Sequence, residues 1–469
     1  MTIDEGGRKA RPTAHELARY ERLFAARTRG MRSSAMREMM ALTERPDVIS
    51  LAGGLPDTST FPPELYAKLM AHVAADSTAR ALQYGPTEGM ATAMECIVEV
   101  MAEEGTTVDP ANMIVTTGGQ QAIDLVCKAL IDPGDVIVAE APTYPGAVPT
   151  FGAYQADVVQ IEMDGDGLPI DELESVLDRL QGEDRRPKFI YTIPNFQNPG
   201  GVTMSLERRE RLVRIARERE LLVLEDNPYG LLRYEGEPLP TLYSLDARNG
   251  SQPTRGASDL VIYLGTFSKI LSPGLRLGWA VAPWPVLEKL NLGKQGADLC
   301  SSPVTQLFVA AYFRDSDWRA YLEELKVLYR RRRDAMLEAL EEHFGGRATW
   351  TKPGGGLFVW ATLDGVDTTD LLPQCEGVAF VPGRSAYMDE RRGASSMRLN
   401  FAGLPEEEIR EGVKRIGAAV GGDTGLFGTL IGTPPARSPA PPVSRPATAP
   451  EPESLADVVD LPRRRAKGR

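Results

Sequence analysis

An alternation of strand-like and helix-like segments constrains the fold of this chain more than any other feature. The apolar, strand-like runs are Met113–Thr117, Asp135–Glu140, Asp157–Ile161, Phe189–Pro194, Leu221–Glu225, Leu260–Leu264 and Leu275–Ala282. Helical patterns separate most of them, as at Gln120–Ile131, Ile170–Gln181 and Ser205–Arg217. Strands joined through helices need crossover connections, so the pattern predicts an α/β fold whose large domain has three αβα layers and a mostly parallel sheet. Ligands of such sheets bind at the carboxyl ends of the strands.

The remainder of the chain predicts a smaller α+β domain and a tail. We expect residues 1–60 to form an N-terminal arm and part of the small domain, with a helical pattern at Met31–Leu42. Residues 61–300 then form the large domain, and residues 301–420 form the C-terminal small domain. The segment 421–469 is rich in Pro, Ala, Gly and Ser, which cannot bury enough apolar surface to fold, so it predicts a disordered tail.

Composition excludes several classes of function. The chain has 469 residues and a formal net charge of −12, which argues against a nucleic-acid partner. Its first thirty residues lack the apolar core of a signal peptide, and no run of about 18 apolar residues occurs, so we predict a cytoplasmic protein without membrane contact. The widely spaced cysteines and isolated histidines predict no metal site and no histidine-based triad: Cys96, Cys127, Cys300, Cys375, His15, His72 and His343.

Lys269 directly follows one of the predicted strands, in the stretch GTFSKILSPGLRLGW. The hydroxyls of Thr266 and Ser268 flank it, and Arg276 lies one short loop further on. A lysine in an apolar pocket loses its proton more readily and can form a Schiff base, while hydroxyls and a guanidinium hold a phosphate. This group of residues therefore suits a phosphorylated aldehyde.

Other predicted strands also end in residues that could bind such a ligand. Gly119 and Gln120 open a helix after the first strand, where backbone N–H groups can bind an anion. Tyr144 follows the second strand, where its ring could stack on a flat heteroaromatic ligand. Taken singly, a Gly-Gly turn and a tyrosine in a proline turn are more often ordinary structural features.

Asp226 lies at the end of a buried strand, where a carboxylate needs a cation as a partner. A protonated pyridine nitrogen would be such a cation, although a structural arginine or a helix cap is the alternative. Asn198 and Tyr229 could both donate hydrogen bonds to a phenolate oxygen on the same ring. Together, the lysine, aspartate, tyrosine and asparagine at successive strand ends predict pyridoxal 5'-phosphate (PLP) as cofactor.

Over about residues 31–418 the chain resembles the fold-type I aminotransferases of class I and II. It is most similar to the branch that contains 2-aminoadipate, kynurenine and aromatic or branched-chain aminotransferases. The resemblance rests on the motifs AGGLP, QYG, TTGGQQAIDL, APTYPG, PNFQNPGG, EDNPYG, GTFSK, SPGLRLGW, PGGGLFVW and MRLNF. It implies a large PLP domain, a small domain built from both chain ends, and a homodimer with active sites at the subunit interface.

The resemblance also implies a role for each matching residue. Lys269 would be the Schiff-base lysine and proton shuttle, and Arg398 would bind the substrate α-carboxylate beside Asn198 and the Gly54 backbone. Arg37 would contact a distal side-chain carboxylate of the substrate. The cofactor ligands would be Asp226 at the ring nitrogen, Tyr229 and Asn198 at O3', Tyr144 on the ring, and Thr266, Ser268, Arg276, Gly119, Gln120 and the neighbouring subunit's Tyr84 at the phosphate.

The sequence departs from the family pattern at Gly200, where Thr is usual, and at Thr266, where Ser is commoner. We predict transfer of an α-amino group from a 2-aminoadipate, aromatic or branched-chain type of donor to a 2-oxo acid such as 2-oxoglutarate. Two alternatives stay open at this point: a PLP-dependent lyase, decarboxylase or racemase on the same fold, and a transcription regulator built on it.

Overall fold

The structure is a computed structural model that describes residues 20, 23–31, 47–249 and 258–430. The described residues up to Gly422 form one compact unit, and a second unit begins at Asp423. The strands, in chain order, are β1 (Ile49–Ser50), β2 (Met113–Thr116), β3 (Val136–Ala141), β4 (Asp157–Glu162), β5 (Phe189–Thr192), β6 (Leu222–Asp226), β7 (Val261–Thr266), β8 (Gly278–Val281), β9 (Ala348–Trp350), β10 (Phe358–Leu363), β11 (Val378–Ala379), β12 (Val381–Pro382) and β13 (Ser396–Asn400).

The α-helices of the described residues are α1 (Pro63–Asp76), α2 (Thr78–Ala81), α3 (Ala91–Glu103), α4 (Gly119–Leu130), α5 (Ala147–Ala153), α6 (Ile170–Gly182), α7 (Leu206–Glu218), α8 (Leu242–Asn249), α9 (Trp284–Gln295), α10 (Pro303–Asp315), α11 (Trp318–Phe344), α12 (Thr368–Leu371) and α13 (Glu406–Leu430). Short 3-10 helices lie at Ala26–Gly30, Thr58–Thr60, Pro110–Asn112, Pro273–Leu275, Leu372–Gln374 and Gly383–Ala386.

A seven-stranded sheet in the order β2-β8-β7-β6-β5-β3-β4 is the largest sheet of the described residues. The β4-β3-β5-β6-β7 pairs are parallel, as the strand and helix alternation predicts. Only β8 runs antiparallel to its neighbours β7 and β2 within this sheet. A short loop joins β7 to β8 without a crossover helix, and it includes the 3-10 turn Pro273–Leu275, so β8 begins later than the sequence predicts.

A second sheet lies in the C-terminal part, with the order β12-β13-β10-β9 and antiparallel pairing. Near the other end of the chain, β1 pairs in parallel with β11, so Ile49 lies opposite Val378. The segments around residues 50 and 378 thus meet in one region. The division of domains near residue 300 stays a prediction, since the contacts unite the chain up to Gly422.

The predicted C-terminal tail and the predicted helix Met31–Leu42 lie largely outside the described residues. The helix α13 continues to Leu430, so the segment predicted as a tail from Gly421 begins with ten helical residues. Residues 431–469 lie outside the described residues, as does most of the predicted helix Met31–Leu42.

None of the described helices combines the length and hydrophobicity that a membrane span requires. Within the same ranges, no cluster of His, Cys, Asp and Glu side chains is arranged to hold a metal ion.

Candidate active site

One cavity of about 270 Å³ lies where β2, β3, β5, β6 and β7 end. Apart from Tyr84 and Arg37, all the predicted site residues line it: Gly54, Gly119, Gln120, Tyr144, Asn198, Asp226, Tyr229, Thr266, Ser268, Lys269, Arg276 and Arg398. Tyr84 is 78% exposed and does not line the cavity, and Arg37 lies outside the described residues.

Lys269 projects from the turn after β7, and its Nζ donates a hydrogen bond to Gly54 O at 2.6 Å. Burial lowers the pKa of Lys269 to about 8, and the neighbouring charges of Arg398 and Arg276 act in the same direction. Asp226 opposes this shift. A substantial fraction of this amine is therefore neutral near pH 8, which both Schiff-base formation and proton abstraction require.

Hydroxyls, a guanidinium and a helix start meet at one end of the cavity. Ser268 N donates to Thr266 Oγ1 at 3.1 Å, and the two hydroxyl oxygens are 2.8 Å apart. The helix α4 begins at Gly119, so its first N–H groups have no partner within the helix. This end of the cavity can bind a phosphate.

Gly118, the first residue of the Gly-Gly turn, permits this arrangement. It has φ of +76°, and a Cβ built there would lie 2.6 Å from Nη2 of Arg276. Arg276 itself adopts a left-handed conformation, with φ of +50°. The two backbones therefore bring the guanidinium against the start of α4, which only a glycine at position 118 allows.

Asp226 ends β6 and also lines the cavity, and it accepts a hydrogen bond from Tyr191 Oη at 2.7 Å. Burial raises the pKa of Asp226 to about 6, while the Tyr191 bond and the charge of Lys269 counteract the rise. Sequence reasoning missed Tyr191. The available signal was strand periodicity: Tyr191 pairs with Leu224, so it shares a sheet face with Asp226, two residues further along β6.

Arg398 enters the cavity from the second sheet and is fully buried. Its Nη1 donates to Asn198 Oδ1 at 3.0 Å and its Nη2 to Ala52 O at 2.7 Å. The guanidinium carbon lies 4.4 Å from the centre of the Phe358 ring. Burial lowers the pKa of Arg398 to about 10, so the side chain stays charged at neutral pH. These contacts fix the plane of the guanidinium.

The two aromatic residues predicted at the ring lie in the same cavity. Asn198 Nδ2 donates to Tyr229 Oη at 3.2 Å, so both can reach one ligand oxygen. Tyr144 packs over Gly146, where a Cβ would come within 2.5 Å of the tyrosine ring. The departure at Gly200 also has a structural basis, because a Cβ there would lie 2.9 Å from Gln197 Oε1.

The residues fit PLP. The same cavity is lined by an anion site, by a buried carboxylate that suits a cationic ring nitrogen, and by an amine with a lowered pKa. The volume is close to the lower limit of about 300 Å³ that is usual for small-molecule pockets.

Comparison with known proteins places the chain in a family. The sequence model of the family 'aminotransferase class I and II' matches residues 46–416 of this chain. An aromatic-amino-acid aminotransferase of Thermococcus litoralis is 43% identical over 405 residues, which cover 86% of this chain and 94% of the relative. A 2-aminoadipate transaminase of Thermus thermophilus is 39% identical over 395 residues, which cover 84% and 95%.

A crystal structure of a kynurenine aminotransferase of Pyrococcus horikoshii, in complex with PMP, is also similar. It has a TM-score of 0.79 and 38% identity, and the match covers 87% of this chain and 99% of the other.

The chain therefore belongs to aminotransferase class I and II, with the fold of type I. It is a PLP-dependent aminotransferase of the branch that includes aromatic, 2-aminoadipate and kynurenine aminotransferases. The names of these relatives favour transamination over the lyase, decarboxylase, racemase and regulator alternatives.

Proposed function

We propose that the cavity residues hold PLP in the orientation that their charges dictate. Asp226 binds the protonated ring nitrogen, and Tyr229 and Asn198 bind the phenolate oxygen. Tyr144 covers the ring, and the phosphate binds to Thr266, Ser268, Arg276 and the first N–H groups of α4. When bound there, PLP would supply the aldehyde carbon for the amino group and an electron-withdrawing ring next to the substrate Cα.

Lys269 is the catalytic base of this proposal. Its lowered pKa of about 8 leaves about a tenth of the amine neutral at pH 7, far more than an exposed lysine provides. The Nζ atom would hold the cofactor covalently and would move the proton at the substrate Cα.

Arg398 binds the substrate α-carboxylate through two parallel hydrogen bonds. The contacts with Asn198, Ala52 and Phe358 support this role, because they hold the guanidinium before substrate arrives. The Gly54 backbone lies alongside. For Arg37 we propose contact with a distal carboxylate of acidic donors.

The proposed amino donors are aromatic amino acids, 2-aminoadipate or branched-chain amino acids, and the proposed acceptor is 2-oxoglutarate. Support comes from the relatives named aromatic-amino-acid aminotransferase and 2-aminoadipate transaminase. The leucine at position 55 adds an apolar side chain to the cavity wall, which suits aromatic and aliphatic donors.

We further propose a cytoplasmic homodimer in which Tyr84 of each subunit reaches the phosphate of the other. The exposure of Tyr84 supports this, as does that of Leu82 and Trp284, at 78% and 64%. A molecular mass equal to one chain in analytical ultracentrifugation would contradict the dimer.

The observation that carries the proposal is the convergence of Lys269, Asp226, Arg276 and Arg398 on one cavity. The test is absorbance spectroscopy of the purified enzyme with a panel of amino acids, followed by 2-oxo acids. We expect the visible cofactor band to disappear with a donor and return with 2-oxoglutarate.

The variant Lys269→Ala should lower turnover by about three orders of magnitude or more, since it removes both the nucleophile and the base. Lys289→Ala, which changes a surface lysine with 61% side-chain exposure, is the matched control and should retain full activity. Normal turnover by Lys269→Ala would refute the proposed role.

A further inference from the structure

A buried lysine lies close to the loop between β2 and α4, which carries part of the proposed phosphate site. Lys294 belongs to α9, and its side chain is 0% exposed. Its Nζ donates to both oxygens of Asp298, at 2.8 and 2.9 Å, and to Gln121 Oε1 at 3.0 Å. Burying an ammonium group is costly, and here three hydrogen bonds with good geometry offset that cost.

These partners are bound in turn to the loop between β2 and α4. Gln121 Oε1 accepts a hydrogen bond from Thr117 N at 2.7 Å, and Gln121 Nε2 donates to Asp298 at 2.7 Å. The hydroxyl of Thr117 donates to the same Asp298 oxygen at 2.9 Å. The lysine, the aspartate and the glutamine thus hold Thr117 through both its backbone and its side chain.

Thr117 connects this cluster to the cavity wall. Its carbonyl oxygen lies 3.5 Å from Nη2 of Arg276, and the following Gly118 packs against the same guanidinium. Two residues further on, Gly119 and Gln120 line the cavity. The cluster therefore supports the anion-binding backbone without lining the cavity itself.

Burial lowers the pKa of Lys294, while Asp298 stabilises the charged amine. The site chemistry does not use either residue, and neither of them lines the cavity.

We propose that the Lys294–Asp298 pair is a positioning clamp for the phosphate-binding loop of residues 117–120. It acts by holding the N–H groups at the start of α4 and the guanidinium of Arg276 in the geometry that a phosphate needs. This inference rests on the proposed cofactor orientation.

The test compares two probes that differ only in the phosphate, pyridoxamine 5'-phosphate and pyridoxamine, on the full-length chain freed of cofactor. Lys294→Met keeps the length of the side chain and removes its donors. We expect affinity for pyridoxamine 5'-phosphate to fall about tenfold or more, with a change of less than about twofold for pyridoxamine.

Thr117→Val is the second variant, because it removes one hydroxyl without burying an unpaired charge. It should lower the affinity for the phosphate ester in the same selective way, by about threefold. Lys128→Met is the matched control: this lysine also links α4 to α9, through Gly293 O at 3.5 Å, but it does not contact Asp298.

The clamp would be overturned if Lys294→Met and Thr117→Val lost equal affinity for both probes. It would also be overturned if neither variant lost affinity for pyridoxamine 5'-phosphate. If the native chain itself bound both probes equally, the proposed phosphate site would be wrong, and the clamp with it.

Discussion

Replacing Tyr191 by Phe should change the titration of Asp226 without changing the packing around it. The Tyr191 hydroxyl donates at 2.7 Å to the aspartate, and the side chain is only 1% exposed. Its ring lies edge-on to Phe151 with centroids 5.4 Å apart, and a phenylalanine preserves that contact. The substitution therefore removes one hydrogen bond to a buried carboxylate and little else.

The size of the effect follows from that bond. A hydrogen bond to a charged group contributes about 1.5–3 kcal/mol, which corresponds to about one to two pKa units. The bond favours the carboxylate form, so its loss raises the pKa of Asp226 further, from about 6 to about 7–8. The charged form that pairs with a ring-nitrogen proton is then present only at higher pH.

The assay is calorimetric titration of the cofactor-free enzyme with pyridoxamine 5'-phosphate between about pH 5 and 9. This compound has no aldehyde, so the covalent chemistry of Lys269 does not contribute. We expect the affinity of the native enzyme to weaken as pH falls through about 6 and that of Tyr191→Phe to weaken already through about 7–8.

Tyr263→Phe is the matched control for this experiment. It removes a similar hydroxyl, because Tyr263 on the neighbouring strand β7 donates a hydrogen bond to Glu104 at 2.6 Å. Tyr263 does not line the cavity. Its binding profile should match that of the native enzyme. Coincident profiles for native enzyme and folded Tyr191→Phe would refute the reasoning.

Two further predictions concern stability and substrate binding. Burial raises the pKa of Glu104 to about 8, so the folded state keeps a proton that the unfolded state has released, and stability falls as pH rises from about 4.5 to 8. The melting temperature of Glu104→Gln should therefore fall less between pH 5.5 and 8.5 than that of the native enzyme. Equal falls in melting temperature would contradict this. Arg398→Lys cannot make paired hydrogen bonds to a carboxylate, so KM for amino donors should rise about 10- to 100-fold, with unchanged affinity for pyridoxamine 5'-phosphate. The exposed Arg410→Lys is its control, and an unchanged KM would exclude the role.

Much of the large domain was predictable because its signals are local. Each strand of the parallel sheet is an apolar run, and the residue types just after it are visible in the sequence. Since parallel strands bring their carboxyl ends to one edge, Lys269, Asp226 and Asn198 could be placed together without a structure. The family motifs extended this placement to Arg398 and Gly54, which periodicity alone does not connect to the sheet.

Boundaries were less predictable than elements. The run beginning at Leu275 reads as one strand, yet its first residue belongs to a 3-10 turn. The helix α13 continues past Gly421 because helix formation propagates from an established helix. The amino-acid composition of a segment takes no account of the helix that precedes it.

The sequence by itself determined the fold class, the cofactor and the residue types that follow each strand, because these follow from short-range patterns and strand ends. Only the tertiary structure revealed the Tyr191 bond to Asp226, the cluster of Lys294 with Asp298, and the lowered pKa of Lys269. Each of these depends on which side chains from distant segments meet, and on how completely packing removes water from them. Hydrogen-bond pairing and desolvation are properties of the assembled core, and the order of residues along the chain does not specify them.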